Sequence, residues 1–255
     1  MYKLIVFVTC QRTGSSISAE IFYRHGMSLG PFSFFQATPE KPLGLCEAIP
    51  IFQIDHTLHR IIYGFDEDSI HYKLAGQIMK NRERLRPTIS QIKPDLIEHG
   101  KQVIQSLIET SSISGFKHPA SSLFWFFWSN IFSQLPNLDV YPIFLLRPPS
   151  GIAASYARRA DKPEFQNAMF DLVEIYLLRM LEIYRNWKGQ KSIIRFTDEN
   201  YQNDLQTAMI NCGLKWNKEI YKQYYHPSVT VEINEHVNHP VQGLYEHWLS
   251  YCSTK

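Results

Sequence analysis

Four short apolar runs, set apart by much longer helical stretches, constrain this chain most. Residues 4–8 (LIVFV), 113–117 (ISGFK), 141–146 (YPIFLL) and 192–196 (SIIRF) have the length and side-chain content of buried strands. Between residues 164 and 187, Phe165, Met169, Leu172, Tyr176, Met180, Tyr184 and Trp187 recur every three or four positions, the buried stripe of an amphipathic helix. Further helices are predicted over 16–25, closed by Gly26, over 69–86, stopped by Pro87, and over 96–110. Strands alternating with helices imply an α/β fold around a parallel sheet. In such a sheet ligands bind beyond the carboxyl ends of the strands, here in the loops after Val8, Phe116 and Leu146.

A chain of 255 residues, 44% apolar, can bury the core of one α/β domain over residues 1–255, and no internal repeat or Gly/Ser-rich linker divides it. The 26 basic residues are offset by 24 acidic ones, so the charge of +2 excludes a diffuse nucleic-acid surface and requires any anion site to be local. Residues 4–8 are too short for a secretory signal, and residues 123–128 (LFWFFW) fall far short of the ~20 residues of a membrane span. The expectation is a soluble, cytoplasmic chain with Cys10, Cys46, Cys212 and Cys252 reduced.

Residues 8–16, VTCQRTGSS, carry the first chemistry. A strand, a polar loop with Gln11, Arg12, Thr13, Gly14, Ser15 and Ser16, and then a helix is an arrangement in which backbone N–H groups and the helix dipole hold an anion. Gly14 permits close backbone approach. A nucleoside-triphosphate loop of the GK[ST] type needs lysine where Ser15 stands, so triphosphate hydrolysis is disfavoured. Arg12 can supply the positive charge instead and grip phosphate or sulfate oxygens with two N–H groups.

The second motif follows YPIFLL: Arg147, Pro149, and Ser155 eight residues after that arginine. With the first loop, this spacing resembles the 3′-phosphoadenosine 5′-phosphosulfate (PAPS)-dependent sulfotransferases. That family pairs an early PRSGTS-like loop with a later strand ending in R-x-P and a serine eight positions beyond its arginine. The resemblance implies a three-layer α/β/α, P-loop-like fold and a PAPS site. The 5′-phosphosulfate would lie on the loop of Gln11 to Ser16, and the 3′-phosphate on Arg147 and Ser155. Weaker likenesses extend it: residues 115–123 (GFKHPASSL) to a K-D-P-R strand end, 43–50 (LGLCEAIP) to a G-Y-F-E segment of bacterial members, and 192–200 (SIIRFTDEN) to a strand before Y-E-D-L. The plain alternatives are a salt-bridged strand end for Arg147, a helix surface for Ser155, and solvated or paired side chains for Arg158 and Arg159.

Sulfuryl transfer needs a base for the acceptor's proton and positive charge on the moving group; it requires no metal in principle. Glu47 and His118 are the candidate bases. Glu47 lies where the bacterial members carry a carboxylate, and His118 follows Lys117 at a strand end, one residue short of the histidine of the cytosolic members. Because side chains alternate along a strand, that offset can reverse the direction of His118. Arg12 and Lys117 are the candidates for stabilising charge on the sulfuryl group and the departing phosphate oxygen.

The acceptor implied is a hydroxyl or amine of a small molecule or carbohydrate. A P-loop kinase, or an inactive member that binds the desulfated product PAP, are the alternatives. His56 and His59, beside Asp55, could share a helix face and in principle hold a metal, but no third convergent ligand is evident and surface histidines are the simpler reading. The same holds for Glu235, His236 and His239, which stand where the family has a basic R-K-G loop. Residues 123–128 are read as core in preference to an acceptor or adenine surface, and residues 80–86 (KNRERLR) as a solvated helix end.

Overall fold

The computed structural model describes residues 1–35, 46–64, 87–160, 166–196, 199–225 and 237–252. Four parallel strands, β1 (Tyr2–Thr9), β2 (Ile113–Lys117), β3 (Leu138–Leu146) and β4 (Ser192–Arg195), form one sheet in the order β2-β1-β3-β4. Helices α1 (Ser15–Arg24), α2 (Ile49–Tyr63), α3 (Pro94–Ile108), α4 (Trp125–Ser133), α5 (Pro149–Ala160), α6 (Gln166–Asn186), α7 (Tyr201–Cys212), α8 (Lys218–Tyr224) and α9 (Pro240–Cys252) cover it. The helix expected over 69–86 lies outside the described residues, as do 39–45, 161–163, Glu235 and His236.

The strands read as continuous apolar runs because both faces are covered. On β1, Leu4, Val6 and Val8 pack with α2 to α6 and α9, whereas Ile5 and Phe7 pack with α1, α7 and α8. β3 divides in the same way, with Val140, Phe144 and Leu146 on the first face and Tyr141, Ile143 and Leu145 on the second. The fold is therefore a three-layer α/β/α sandwich. Of the stripe expected on α6, Met169, Leu172, Tyr176 and Met180 are fully buried and Tyr184 and Trp187 half-buried, while Phe165 lies outside the described residues. Of residues 123–128, Leu123, Phe124, Phe127 and Trp128 are core. Trp125 and Phe126 instead line a cleft of about 300 Å³ with Arg179, Glu182 and Trp187.

β3 begins three residues before the expected start, because Leu138, Asp139 and Val140 pair with Tyr2, Lys3 and Leu4 despite Pro142 further on. The chain passes from β1 to β2 on one side and returns to β3 on the other. The carboxyl ends of β1 and β3 therefore flank a topological switch point, where open α/β sheets form ligand crevices.

Candidate active site

The loop after β1 turns on two left-handed residues, Arg12 (φ 65°) and Gly14 (φ 81°). Gly14 has no alternative, since a Cβ there would lie 2.3 Å from the ring of Phe196. Arg12 is a strained choice, as a non-glycine residue in this region costs about 1–2 kcal/mol. Two bonds hold it: Arg147 Nη1 donates to the Arg12 carbonyl at 2.7 Å, and Arg12 Nε donates to Ser155 Oγ at 2.9 Å. The two sequence motifs, more than 130 positions apart, thus meet at one point.

Arg147 leaves the end of β3 almost buried, and Ser155 is buried in the second turn of α5. Burial, then the positive charges of Arg12 and Arg158, push the Arg147 guanidinium down to about 10, so it still carries its charge at neutral pH. It sits 5.6 Å from the centroid of Phe196, the ring that also covers Gly14. Gly151 makes room for it, because a Cβ there would stand 3.0 Å from Arg147 Nε. Arg147 is therefore neither a plain strand terminus nor Ser155 a helix surface position. Arg158 is exposed, and the side chain of Arg159 lies outside the described residues.

The other loop residues divide by role. Thr13 is buried and its hydroxyl is spent within the loop, on Thr9 Oγ1 and the Cys10 carbonyl. Gln11 receives the Tyr156 hydroxyl of α5. Ser15 and Ser16 open α1, whose first turn has no side-chain cap, so the N–H groups there face the loop. Burial raises the Cys10 thiol well above its ordinary value, which leaves it protonated and without nucleophilic character.

Across the loop, at the end of β2, Lys117 is 2% exposed and donates to Glu47 Oε1 at 2.5 Å and to Ser16 Oγ at 3.1 Å. Consecutive extended residues point to opposite faces, and His118 accordingly turns to α2, its Nδ1 2.6 Å from Asp55 Oδ2. Glu47 and Lys117 thus share one contact, and His118 belongs to another. Beside Glu47, Cys46 donates to Glu20 Oε2 at 3.1 Å, and burial followed by that carboxylate pushes its thiol up to about 12.

Sequence reasoning missed the role of Asp55. It is fully buried and accepts from Ser121 Oγ at 2.5 Å and Trp128 Nε1 at 2.9 Å as well as facing His118. Its neighbour His59 is buried against Tyr63 and Phe124, which corrects the expectation of surface histidines. His239 approaches Asp171 and Glu174 closely enough to suggest a metal cluster. However, its Nδ1 accepts the Val241 N–H, so the ring proton is on Nε2 and goes to Asp171, leaving no lone pair for an ion.

No family model and no curated protein matches the sequence. Among solved structures, the sulfotransferase domain of the Synechococcus PCC 7002 olefin synthase aligns with 97% of this chain and 94% of its own, with a TM-score of 0.56 and 12% identity. The fold is of the sulfotransferase type. A sulfotransferase domain from the curacin biosynthetic pathway aligns with 98% of this chain and 91% of its own, with a TM-score of 0.46 and 12% identity. Within the sulfotransferase-type fold, the loop after β1 and the ends of β2 and β3 form the candidate site. Among the described residues no helix is long and apolar enough to cross a membrane.

Proposed function

We propose that residues 1–255 act as one PAPS-dependent sulfotransferase domain, which moves a sulfuryl group from PAPS to a hydroxyl or amine of a small molecule or carbohydrate. The observation that carries this reading is the Arg147–Arg12–Ser155 junction, where a buried cation, a strained loop arginine and a buried hydroxyl converge. A third cation, Lys117, lies on the other side of the same loop. β2 and β3 flank β1, so their ends are two inter-strand spacings, about 10 Å, apart. That suits a nucleotide with anionic groups at both ends of its ribose better than a linear triphosphate.

In this reading Arg147 and Ser155 receive the 3′-phosphate of PAPS. The N–H groups of Gln11 to Ser16 receive the 5′-phosphosulfate. Arg12 and Lys117 offset the charge that grows on the sulfuryl oxygens and the departing phosphate as the S–O bond lengthens. The acceptor must lose a proton to Glu47 or His118, and a positioned base contributes about two to four powers of ten.

The test is calorimetry with PAP together with release of PAP from PAPS. The wild-type chain is expected to bind PAP without magnesium. Arg147→Ala is expected to weaken binding by about 1.5–3 kcal/mol, the loss of charge-assisted hydrogen bonds to a dianion. Unchanged affinity in that variant, or binding of magnesium-ATP in preference to PAP, overturns the reading.

A further inference from the structure

Asp55 lies in the second turn of α2, with none of its surface exposed and three donors around it. Ser121 and Trp128 supply two of these hydrogen bonds from neutral groups. A buried carboxylate is strongly disfavoured unless its lone pairs are occupied. An ionised carboxylate only accepts, so the His118 nitrogen beside Oδ2 carries the ring proton. In a neutral imidazole, a proton on Nδ1 leaves the lone pair on Nε2. Among the described residues no side chain or backbone group bonds Nε2. The ring is also held edge-on by Phe52, with centroids 5.6 Å apart and planes at 83°.

We propose that Asp55 is a positioning residue that holds His118 with its proton on Nδ1, so that Nε2 is the base that takes the acceptor's proton. The reaction rests on the sulfotransferase reading above; the tautomer is a property of the free chain. His118 directly follows Lys117, which touches the anion loop through Ser16, and its side chain keeps 11% of its surface exposed. As the acceptor oxygen or nitrogen bonds to the sulfur of PAPS, the sulfur–oxygen bond to the 5′-phosphate breaks and its electron pair leaves with PAP. The acceptor's proton goes to Nε2 and later to solvent.

Charge balance favours this group over Glu47. A proton on Glu47 removes the counter-charge 2.5 Å from the buried Lys117 ammonium. A proton on His118 instead creates an imidazolium against a carboxylate already in place. The titratable group in contact with the ring is Asp55 on α2; His56 stacks on Phe52, Lys117 is the adjacent residue on β2 with Glu47 as its counter-charge, and Ser121 and Trp128 are neutral.

The first test is NMR of the full chain labelled with ¹⁵N-histidine, with His118 assigned by its loss in His118→Gln. The expected spectrum has His118 Nε2 unprotonated and a strongly hydrogen-bonded Nδ1 proton, which Asp55→Asn abolishes without changing the PAP isotherm. A proton on Nε2 in the wild type overturns the proposal, and this measurement needs no acceptor. The second test follows PAP released from PAPS with 2-naphthol as acceptor, a phenol that is still protonated at neutral pH and so must give up its proton in the reaction. Asp55→Asn is expected to lower kcat at least tenfold with the KM for PAPS unchanged. The acid limb of the kcat profile should move to lower pH, because the imidazolium loses its counter-charge. His118→Ala should be restored by added imidazole, equally with and without Asp55→Asn. An Asp55→Asn chain with wild-type kcat and pH profile overturns the proposal, as does His118→Ala without rescue. If Asp55→Asn does not fold, the wild-type tautomer and the rescue still decide. A wild-type chain that fails to bind PAP sinks the sulfotransferase reading, whereas PAP binding with the wrong tautomer sinks only this one.

Discussion

Phe196 connects two groups that the sequence keeps far apart. Its ring covers Gly14 in the loop after β1, and the guanidinium of Arg147 lies over the same ring. Gly14→Ala meets two separate costs. A left-handed alanine costs about 1–2 kcal/mol, and a Cβ 2.3 Å from the Phe196 ring adds an overpacking cost of about 1–3 kcal/mol. Urea unfolding should show a loss of this combined size. Phe196→Leu opens space but leaves the φ cost in place, so the double variant should lose less than the two singles added together. Strict additivity would mean that the ring yields freely and that the strain lies in the backbone alone.

At the scale of elements, α5 holds the second motif in place. Gly151 stands in its first turn, where glycine is a poorer helix former than alanine by about 1 kcal/mol. The reason for glycine there is the Arg147 side chain, whose Nε would lie 3.0 Å from a new Cβ. Gly151→Ala should therefore leave stability unchanged or slightly higher and weaken PAP binding severalfold, as read by thermal unfolding and calorimetry on one preparation. A loss of stability with intact affinity would place the role of this glycine in packing. The same elements show what a linear sequence conveys. The four strands and α6 were legible because burial on two faces, or on one stripe, leaves its own period in the apolar residues. Each of the two motifs was legible because it lies within one strand-loop-helix unit, whereas the contacts of Arg12 with Arg147 and Ser155 join positions more than 130 apart and left no local signal. Helix α2 carries Ile51, Ile54, Leu58 and Ile62 at helical spacing, all of them buried, but its polar residues at 55, 56 and 59 read as a surface face, although Asp55 and His59 are buried. The contact of Asp55 with His118 spans 63 positions and joins α2 to the end of β2, a distance over which no local spacing rule operates.

On the scale of the molecule, one nucleotide would tie the end of β2 to the end of β3 across the loop of β1, and so couple helices on both faces of the sheet. At a PAP concentration a hundred times its dissociation constant, binding to the folded state alone adds about 2.7 kcal/mol. For a chain of this size that raises Tm by roughly 5–10 °C. The net charge of only +2 leaves no broad field to imitate this effect. Arg147 is 5% exposed, and buried charges are screened far less by salt than surface ones. Most of the shift should therefore survive 0.3 M sodium chloride, roughly twice physiological ionic strength, and Arg147→Ala should remove most of it. The pH dependence follows from the Arg147 guanidinium, lowered to about 10 by burial and by its cationic neighbours. A bound anion raises that value again, so binding takes up no proton at Arg147 at pH 7–9 and affinity there does not change on its account. Through about 10 the free chain loses the charge that the complex retains, and affinity falls as pH rises. A thermal shift that vanishes in 0.3 M salt, or that is as large in Arg147→Ala, would mean that PAP is held by scattered surface cations and not by the junction at the switch point.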